Sequence, residues 1–599
     1  MSVHPIETGP SRLFQAVHRP AGVAVLLALV WLLTCARLLY SYWYATAIAF
    51  PDTDDAMRLA QWRDFINGQG WFDLHQARLS PPQGYESHWS RLIDAGLAGL
   101  YFFFRLFTDD PVAERLMRAI WPLLWILPAM AGVAAIAWRL AAASSAFVAL
   151  LLMLAGGSAY QQFLPGTIDH HNVQIALTML TVAATVWSDR ISWSAIAAGF
   201  LTALSIAIGL ETLPYLAMCG GAVALRFVVS PAGGPAARYY ALSLTVGLIV
   251  LFFATLSPDR WLQIQCDALS PNLMAAILPA ACLLAVGAVA NPSKITWRAA
   301  FVLLAAILAV AAVLWIEPRC LRGPYGLIDA RMWPLWLSAV FENQPLTDIL
   351  VANPFRVFPM LAFPAVCLLA VIVLMRGHSR PDFATLTACA VFLMGWLTVG
   401  IAIRATSYPI WFGIPVMAAA IIRLSRRADA MFGLLGGLVA AILLSPLVLG
   451  SAVTAVLPAH AFSRSSSGGE PTRFCRLSAH IRELAVLPPG LIVSDVFHGA
   501  HILALTPHSV LAAPYHRNSA GTIIAHRILA AAPDEARDVA RQAGVTYIVL
   551  CGARPPDGLP EDERKRSLWA YLEAGVVPDW LDPVVPTIGR PFTVYRMLP

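Results

Sequence analysis

The stretch GTIDHHNVQIALTML, residues 166–180, sets Asp169, His170 and His171 directly before an apolar run. In an extended segment residues two apart project the same way, so Asp169 and His171 can present one oxygen and one nitrogen ligand to a single cation, or else hydrate a helix end. A second acidic group opens AFPDTDDAMRLAQWRDFI, where Asp52, Asp54 and Asp55 offer the carboxylate oxygens that hard divalent ions take. The same residues suit the cap of the helix that follows, a role open to Asp54 or Asp55. A third acid, Glu342, stands in the otherwise apolar WPLWLSAVFENQPLTDIL, where its alternative role is a favourable charge for a helix starting near 346. VGIAIRATSYPIWFGIPVM carries Arg404 and Tyr408 between two apolar runs, a place where a guanidinium meets phosphate, whether of a substrate or of a lipid headgroup.

The elements that must position these residues are membrane helices. A chain of 599 residues that is 58% hydrophobic and only 13% charged, with a mean hydropathy of +0.66, is a polytopic membrane protein. Its net charge of +6 is spread thinly between apolar runs rather than clustered with aromatics, which excludes a nucleic-acid surface and reads as topology. The nine cysteines show no zinc-type spacing, and residues 22–45 are long enough to stay in the bilayer rather than act as a cleaved signal. Apolar runs near 22–45, 114–138, 144–163, 172–188, 193–210, 213–229, 240–257, 273–291, 299–316, 352–375, 383–402, 408–424 and 431–456 predict about thirteen spans.

With the N-terminus inside, the inner segments carry Arg12 and Arg19, Arg139, Arg190, Arg226 and Arg238, Lys294 and Arg298, Arg376 and Arg380, then Arg423, Arg426 and Arg427, as the positive-inside rule asks. Residues 92–107 are short for a span and are placed as an interfacial helix in the first outer loop. This defines a membrane domain over 1–456, with outer loops at 46–113 and 317–351, and a polar region over 457–599 that reads as a small outer α/β domain from GLIVSDV, VTYIVLC and DEARDVARQAG. Cys266 and Cys320 then share the outer side, as do Cys475 and Cys551; disulfides and buried free thiols fit the spacing equally.

Under this topology the acids, the lone Glu342 and the phosphate-type Arg404 meet at one interface. That is the arrangement needed to cleave a phosphate ester whose lipid tail stays in the bilayer, a cation neutralising the leaving group and the arginine sharing its charge. The residues resemble the catalytic subunit of oligosaccharyltransferases, in the GT-C superfamily of glycosyltransferases, over about three quarters of the chain. That family has a first-loop metal aspartate followed at nine and ten residues by Arg-Asp, as Asp54 is followed by Arg63 and Asp64. Its second acidic motif is similar to Gly166–His171, its Ser-Val-Ser-Glu-His-Gln-Pro motif to AVFENQP, and its late arginine to Arg404.

The resemblance implies a GT-C fold with about thirteen membrane helices. It gives Asp54, Asp169, His171 and Glu342 the holding of Mg2+ or Mn2+, and Asp54, Glu342 and Arg404 the catalysis. Candidate substrate contacts are Arg404, Tyr408 and His170, with Tyr515, His516 and Arg517 of the polar cluster YHRN. The expected function is inverting transfer of a glycan from a polyprenyl-phosphate or diphosphate carrier, on the outer face of a bacterial inner membrane, with the C-terminal region periplasmic; the alternative is a transporter or flippase of a lipid-linked or anionic substrate. Donor lipid and membrane lipids are the expected partners, nucleic acid is not, and the acceptor is a glycan, a lipid or a protein. The family's Trp-Trp-Asp-Tyr-Gly acceptor motif is missing; VSDVFHGAHI, with Asp495 and Gly499, stands nearest to its position. His75, and His88 with Trp89, read more readily as interfacial anchors than as sugar contacts, and Glu211 as a helix cap as readily as a substrate contact.

Overall fold

The computed structural model describes residues 20–376, 381–426, 430–457, 474–551, 556, 558–584 and 591–599. Arg12, Arg19, Arg380 and Arg427 of the predicted basic segments lie outside them. Eight described helices, from Pro20–Tyr42 to Ile403–Ser425, are long and apolar enough to cross a membrane, and the chain is a multi-pass membrane protein. Two further pairs, Ala143–Leu154 with Gly157–Phe163 and Gly436–Leu443 with Pro446–Val456, pass together but bend by 75° and 54°. Counting each pair as one span gives up to ten, short of the thirteen expected.

The shortfall has a physical cause. Helices do form at the remaining apolar runs, His171–Trp187, Ser194–Ile208 and Leu213–Val229, but they hold only 17, 15 and 17 residues. At about 1.5 Å per residue they fall short of a hydrocarbon core roughly 30 Å thick. All three stop at one place: the first starts at His171, and the other two are joined by the turn that carries Glu211. Length that would serve the bilayer is spent on polar turns. Beside them Ser407–Ser425 runs through the middle of the bundle, buried along nearly its whole length, with Gly413 and Ala418–Ala420 allowing close approach of its neighbours.

The first long loop folds around two helices, Thr53–Ile66 and Arg91–Arg105. The second is the segment expected at the interface; it turns Ile93, Leu97 and Tyr101 inward and leaves Phe102 and Phe103 exposed. Between the two helices lies a buried ion triad. Asp94 accepts from Arg58 Nη1 at 3.1 Å and from Arg91 Nη1 at 2.9 Å, and the Arg58 guanidinium lies 4.5 Å from the Trp89 ring. Buried charges persist only when paired, so this triad fixes how the first helix is presented.

The C-terminal residues form a five-stranded sheet of β3 (Leu491–Val493), β4 (Ser509–Val510), β5 (Tyr547–Cys551), β6 (Leu581–Pro583) and β7 (Phe592–Met597), in the order β4-β3-β5-β7-β6; β1 (His75–Gln76) and β2 (Tyr85–Glu86) pair within the first loop. Strands β4, β3 and β5 are parallel, and β7 runs antiparallel between β5 and β6. Alternation along the strands divides two cores. Ile492, Tyr547 and Val549 face the first loop, whereas Val493, Ile548 and Leu550 face Ala525, Ile528 and Ala536 of the helices Ser519–Ala530 and Pro533–Gln542. The first loop extends the sheet edge, since Ser80 N donates to Val510 O at 2.7 Å and Val510 N to Arg78 O at 2.9 Å. Of the two arrangements the cysteine spacing allowed, disulfides form at both pairs, Cys266–Cys320 and Cys475–Cys551.

At the opposite end of the helices Arg139 bridges Asp189 and Asp382, and Arg226 donates to the carbonyls of Ser188 and Asp189. Two arginines predicted to mark the inner side thus also tie helix ends together. The buried triad generates a test: Asp94→Ala strands Arg58 and Arg91 without a counter-charge, and is expected to cost roughly 3–5 kcal/mol, read as a lower thermal unfolding midpoint in detergent. An unchanged midpoint would rule out the triad as the anchor of the first loop.

Candidate active site

The helix Thr53–Ile66 is capped by Asp52, not by Asp54 or Asp55. Asp52 accepts from Thr53 N at 2.5 Å, and Asp55, three residues on, returns the bond by accepting from Asp52 N at 3.1 Å. Asp55 reaches further, because its other oxygen accepts from Ile168 N at 2.6 Å and Asp169 N at 3.2 Å. The two acidic stretches of the sequence are therefore joined by a carboxylate fully occupied with backbone amides. Asp54, the residue favoured over Asp55, accepts no hydrogen bond among the described residues.

The Asp169 loop is shaped by Gly166, whose φ of +106° strains any other residue and where a side chain would also press on Pro51 at 3.2 Å. Asp169 accepts from His171 N at 3.0 Å and so starts the helix His171–Trp187. The His171 ring stands between two carboxylates: Nε2 is 3.7 Å from Asp169 and Nδ1 is 2.7 Å from Glu211. Glu211 is held in turn by the Tyr408 hydroxyl, which donates at 2.6 Å. The turn bearing Glu211 rests on the buried Gln174, which donates to the carbonyls of Ser205 and Gly209 and accepts from Thr212 Oγ1 at 2.6 Å.

Glu342 and Arg404 complete the cluster. Glu342 lies in a single turn, Phe341–Asn343, open to solvent and within electrostatic reach of Asp52, Asp169, His171 and Arg404. Arg404 sits in the turn Ile403–Thr406 at the head of the central helix, among Glu211, Glu342, Tyr325 and Tyr408. Among the described residues its guanidinium has no hydrogen-bond partner, which leaves five donors to offer a ligand. Tyr325, unremarked in the sequence, reaches Asn343 Oδ1 at 3.4 Å beside Glu342.

The electrostatics are those of acids short of a cation. Burial, then the charges of Asp52, Glu342 and Asp169, push the Asp54 carboxyl well above the usual carboxylate range. Burial also raises Asp169, although His171 opposes it. Glu211 is the exception: burial works against its charge, but His171 holds it below the ordinary range. Three carboxylates and an imidazole suit a hard or borderline divalent ion, so the residues fit the cation that the resemblance implies. Among the described residues His170, His171 and Glu211 bring their ligand atoms within 4.8 Å of one another, a group that does not include Asp54, Asp169 or Glu342.

The other expected contacts are placed differently. His170 stacks on His171 at 4.5 Å with its Nδ1 buried and unpartnered. Tyr408 spends its hydroxyl on Glu211. Tyr515 is buried and donates to Thr53 O at 3.1 Å, bracing the helix that bears Asp54. His516 and Arg517 both engage Asp267, at 2.5 and 2.6 Å. Glu211, which the sequence marks only as one acid among apolar residues in AIGLETLPY, is brought to His171 by the turn between two short helices.

No family model matches the chain, and no curated protein matches it. Solved structures do. The oligosaccharyltransferase of Archaeoglobus fulgidus in its apo form superposes with a TM-score of 0.63 at 13% identity, over 88% of this chain and 69% of that one. AglB from the same organism, in complex with an inhibitory peptide and a dolichol-phosphate, gives 0.61 at 12% identity over 88% and 69%. The Archaeoglobus enzyme in complex with Zn and sulfate gives 0.54 at 15% identity over 88% and 67%. The chain shares the oligosaccharyltransferase fold, as the resemblance in its acidic motifs implied.

An acid whose pKa is higher folded than unfolded holds more protons in the folded state, so its contribution to stability falls as pH rises from the ordinary value of about 3.9 through the raised one. A divalent cation offsets that loss by neutralising the ionised pair. Mn2+ or Mg2+ is therefore expected to raise the unfolding midpoint more near about pH 8 than near about pH 5, and to do little at either pH in an Asp54→Ala/Asp169→Ala variant. Equal shifts in both proteins at both pH values would take these carboxyls out of cation binding.

Proposed function

We propose that the chain is an integral-membrane, inverting glycosyltransferase of the oligosaccharyltransferase type, moving a glycan from a polyprenyl-phosphate or diphosphate carrier to an acceptor at the outer face of a bacterial inner membrane. The observation that carries this reading is the meeting of Asp54, Asp169, His171 and Glu342 with the unpartnered guanidinium of Arg404. Acids that hold a cation beside a free arginine form a receptor for phosphate at the edge of an apolar bundle. The neighbour that holds a dolichol-phosphate and a peptide, and the one that holds Zn and sulfate, bind ligands of the kinds this reading requires.

In this reading Asp54, Asp169, His171 and Glu342 hold Mg2+ or Mn2+, which when bound supplies positive charge to the departing phosphate. Arg404 orients the phosphate through paired charge-assisted hydrogen bonds and takes part of the charge that develops as the glycosidic bond breaks. Glu211 accepts from His171 Nδ1 and so fixes the tautomer in which Nε2, the nitrogen facing Asp169, carries the lone pair. Tyr408 keeps Glu211 in place rather than touching substrate. Asp55 holds the Asp169 loop against the first helix. The acceptor's nucleophilic atom attacks the anomeric carbon opposite the leaving phosphate and gives up its proton to solvent, while the phosphate departs with the bonding electron pair, so the configuration inverts. Tyr515 donates to Thr53 O, and His516 and Arg517 engage Asp267, so this reading rests substrate contact on Arg404 and His170.

Purified protein given an extract of lipid-linked sugars is expected to consume the donor, to stop with EDTA, and to be inactive as Asp54→Ala or Asp169→Ala. Arg404→Ala should lose about 10²–10³-fold in rate. Glu211→Gln should lower cation affinity by roughly 10–100-fold, with activity returning at high Mn2+, because the tautomer rather than a ligand is lost. Full activity of Asp169→Ala would sink the metal assignment, and an untouched donor in extracts known to contain one would sink the transferase reading.

A further inference from the structure

Away from the Asp54 cluster, three segments far apart in sequence bring two imidazoles and a carboxylate together. His88 follows β2 in the first loop, Asp267 lies next to the Cys266–Cys320 disulfide, and His516 follows β4. One ligand atom from each lies within 4.8 Å of the other two. His516 Nε2 is 2.5 Å from Asp267 Oδ2, and the rings of His88 and His516 are 4.8 Å apart. His88 Nδ1 is buried with no hydrogen-bond partner. A buried imidazole nitrogen without a hydrogen-bond partner, on a ring that brings a ligand atom to another imidazole and a carboxylate, is unfavourable in hydrogen bonding alone and favourable for coordination.

We propose that His88, Asp267 and His516 form a second metal site, distinct from the Asp54 cluster, that takes a borderline transition-metal ion of the Zn2+ class. The donor set decides the class. Two nitrogens and one oxygen suit Zn2+ and its neighbours, whereas Mg2+ seeks oxygen ligands and retains its water. The ion replaces the proton between His516 Nε2 and Asp267, which passes to solvent, and His88 supplies a ring nitrogen. Three protein ligands leave further positions for water.

The surroundings are organised as a supporting shell. Arg517 donates to Asp267 Oδ1 at 2.6 Å and to Oδ2 at 2.8 Å, which fixes the plane of the carboxylate. The same guanidinium repels a cation, so the site is weaker than one without it. Gln265 accepts from Arg517 at 2.7 Å and is itself held by Ser270 and Asn272, and the disulfide anchors the residue before Asp267. The Tyr325 ring packs 5.5 Å from His516, and its hydroxyl reaches Asn343, next to Glu342. An ion here fastens the first loop, the 256–270 loop and the C-terminal residues to one another, one side chain from the Glu342 turn.

The full chain in detergent, stripped of metal and titrated with Co2+ in excess Mg2+, tests this. Wild type and Asp169→Ala are both expected to develop the visible bands of nitrogen-ligated Co2+, and Zn2+ to bleach them. His88→Ala and His88→Asn should lose them, with affinity lower by roughly tenfold or more. Zn2+ should raise the unfolding midpoint of wild type and Asp169→Ala but not of either His88 variant, and the midpoint without metal shows whether each variant is folded. Bands that persist in folded His88→Asn, that vanish in folded Asp169→Ala, or that never form in wild type would overturn the proposal.

Discussion

One carboxylate that takes no part in chemistry holds together those that can. Asp55 accepts three backbone amides, one from its own helix start and two from a loop 113 and 114 residues further on. A buried carboxylate survives only when its oxygens are so occupied, and each amide would be orphaned without it. Its orientation also decides that of its neighbour. Successive helix residues point about 100° apart, so with Asp55 turned to the Ile168 and Asp169 amides, Asp54 must turn elsewhere, and it turns among Asp52, Glu342, Asp169 and His171.

The same helix could have neutralised that acid. Arg58 stands four residues beyond Asp54, at the spacing where a basic side chain ordinarily pairs with an acidic one. It is drawn away instead, bonded to Asp94 and stacked on Trp89. The buried triad of the first loop thus does more than anchor two helices: it withholds from Asp54 the counter-charge that would have quenched it. Arg404 is kept unpartnered in a similar way, because Glu211, the nearest acid able to bind it, already accepts from His171 and Tyr408. Opposite charges lie close together here without cancelling, which is unfavourable for an empty protein and suited to one that binds a cation and an anion together.

The sequence made the framework legible because the framework is periodic. Apolar runs located every long helix, and the residues with chemical potential sat in short polar interruptions, where an acid or an arginine is conspicuous. The number of spans was less legible, since the runs over 172–188 and 213–229 are as short as the helices they form, and an apolar run of that length does not by itself say whether it crosses the bilayer. The roles of Tyr515, His516 and Arg517 were hidden for another reason. A polar cluster looks the same whether its partner is a ligand or Asp267, and Asp267 lies 249 residues from His516. Glu211 and His88 likewise meet partners from other segments of the chain, and no local pattern marks them. Cysteine spacing left both pairs open between thiols and disulfides, and only the approach of their Cα atoms to 5.0 and 6.0 Å decided it.

These long separations impose an order on assembly. The helix bearing Asp54 is braced by Tyr515 from 462 residues away, the loop at Ser80 completes the edge of a strand at Val510, and Asp267 waits for His516 and Arg517. Contacts this remote close only after the segments between them have folded, because the entropy of closing the chain precedes any gain from the contact. The membrane helices can therefore associate while the site is still open on one side. The C-terminal sheet braces the helix that bears Asp54 and the loop beside it, so it contributes to holding the acids in a fixed array.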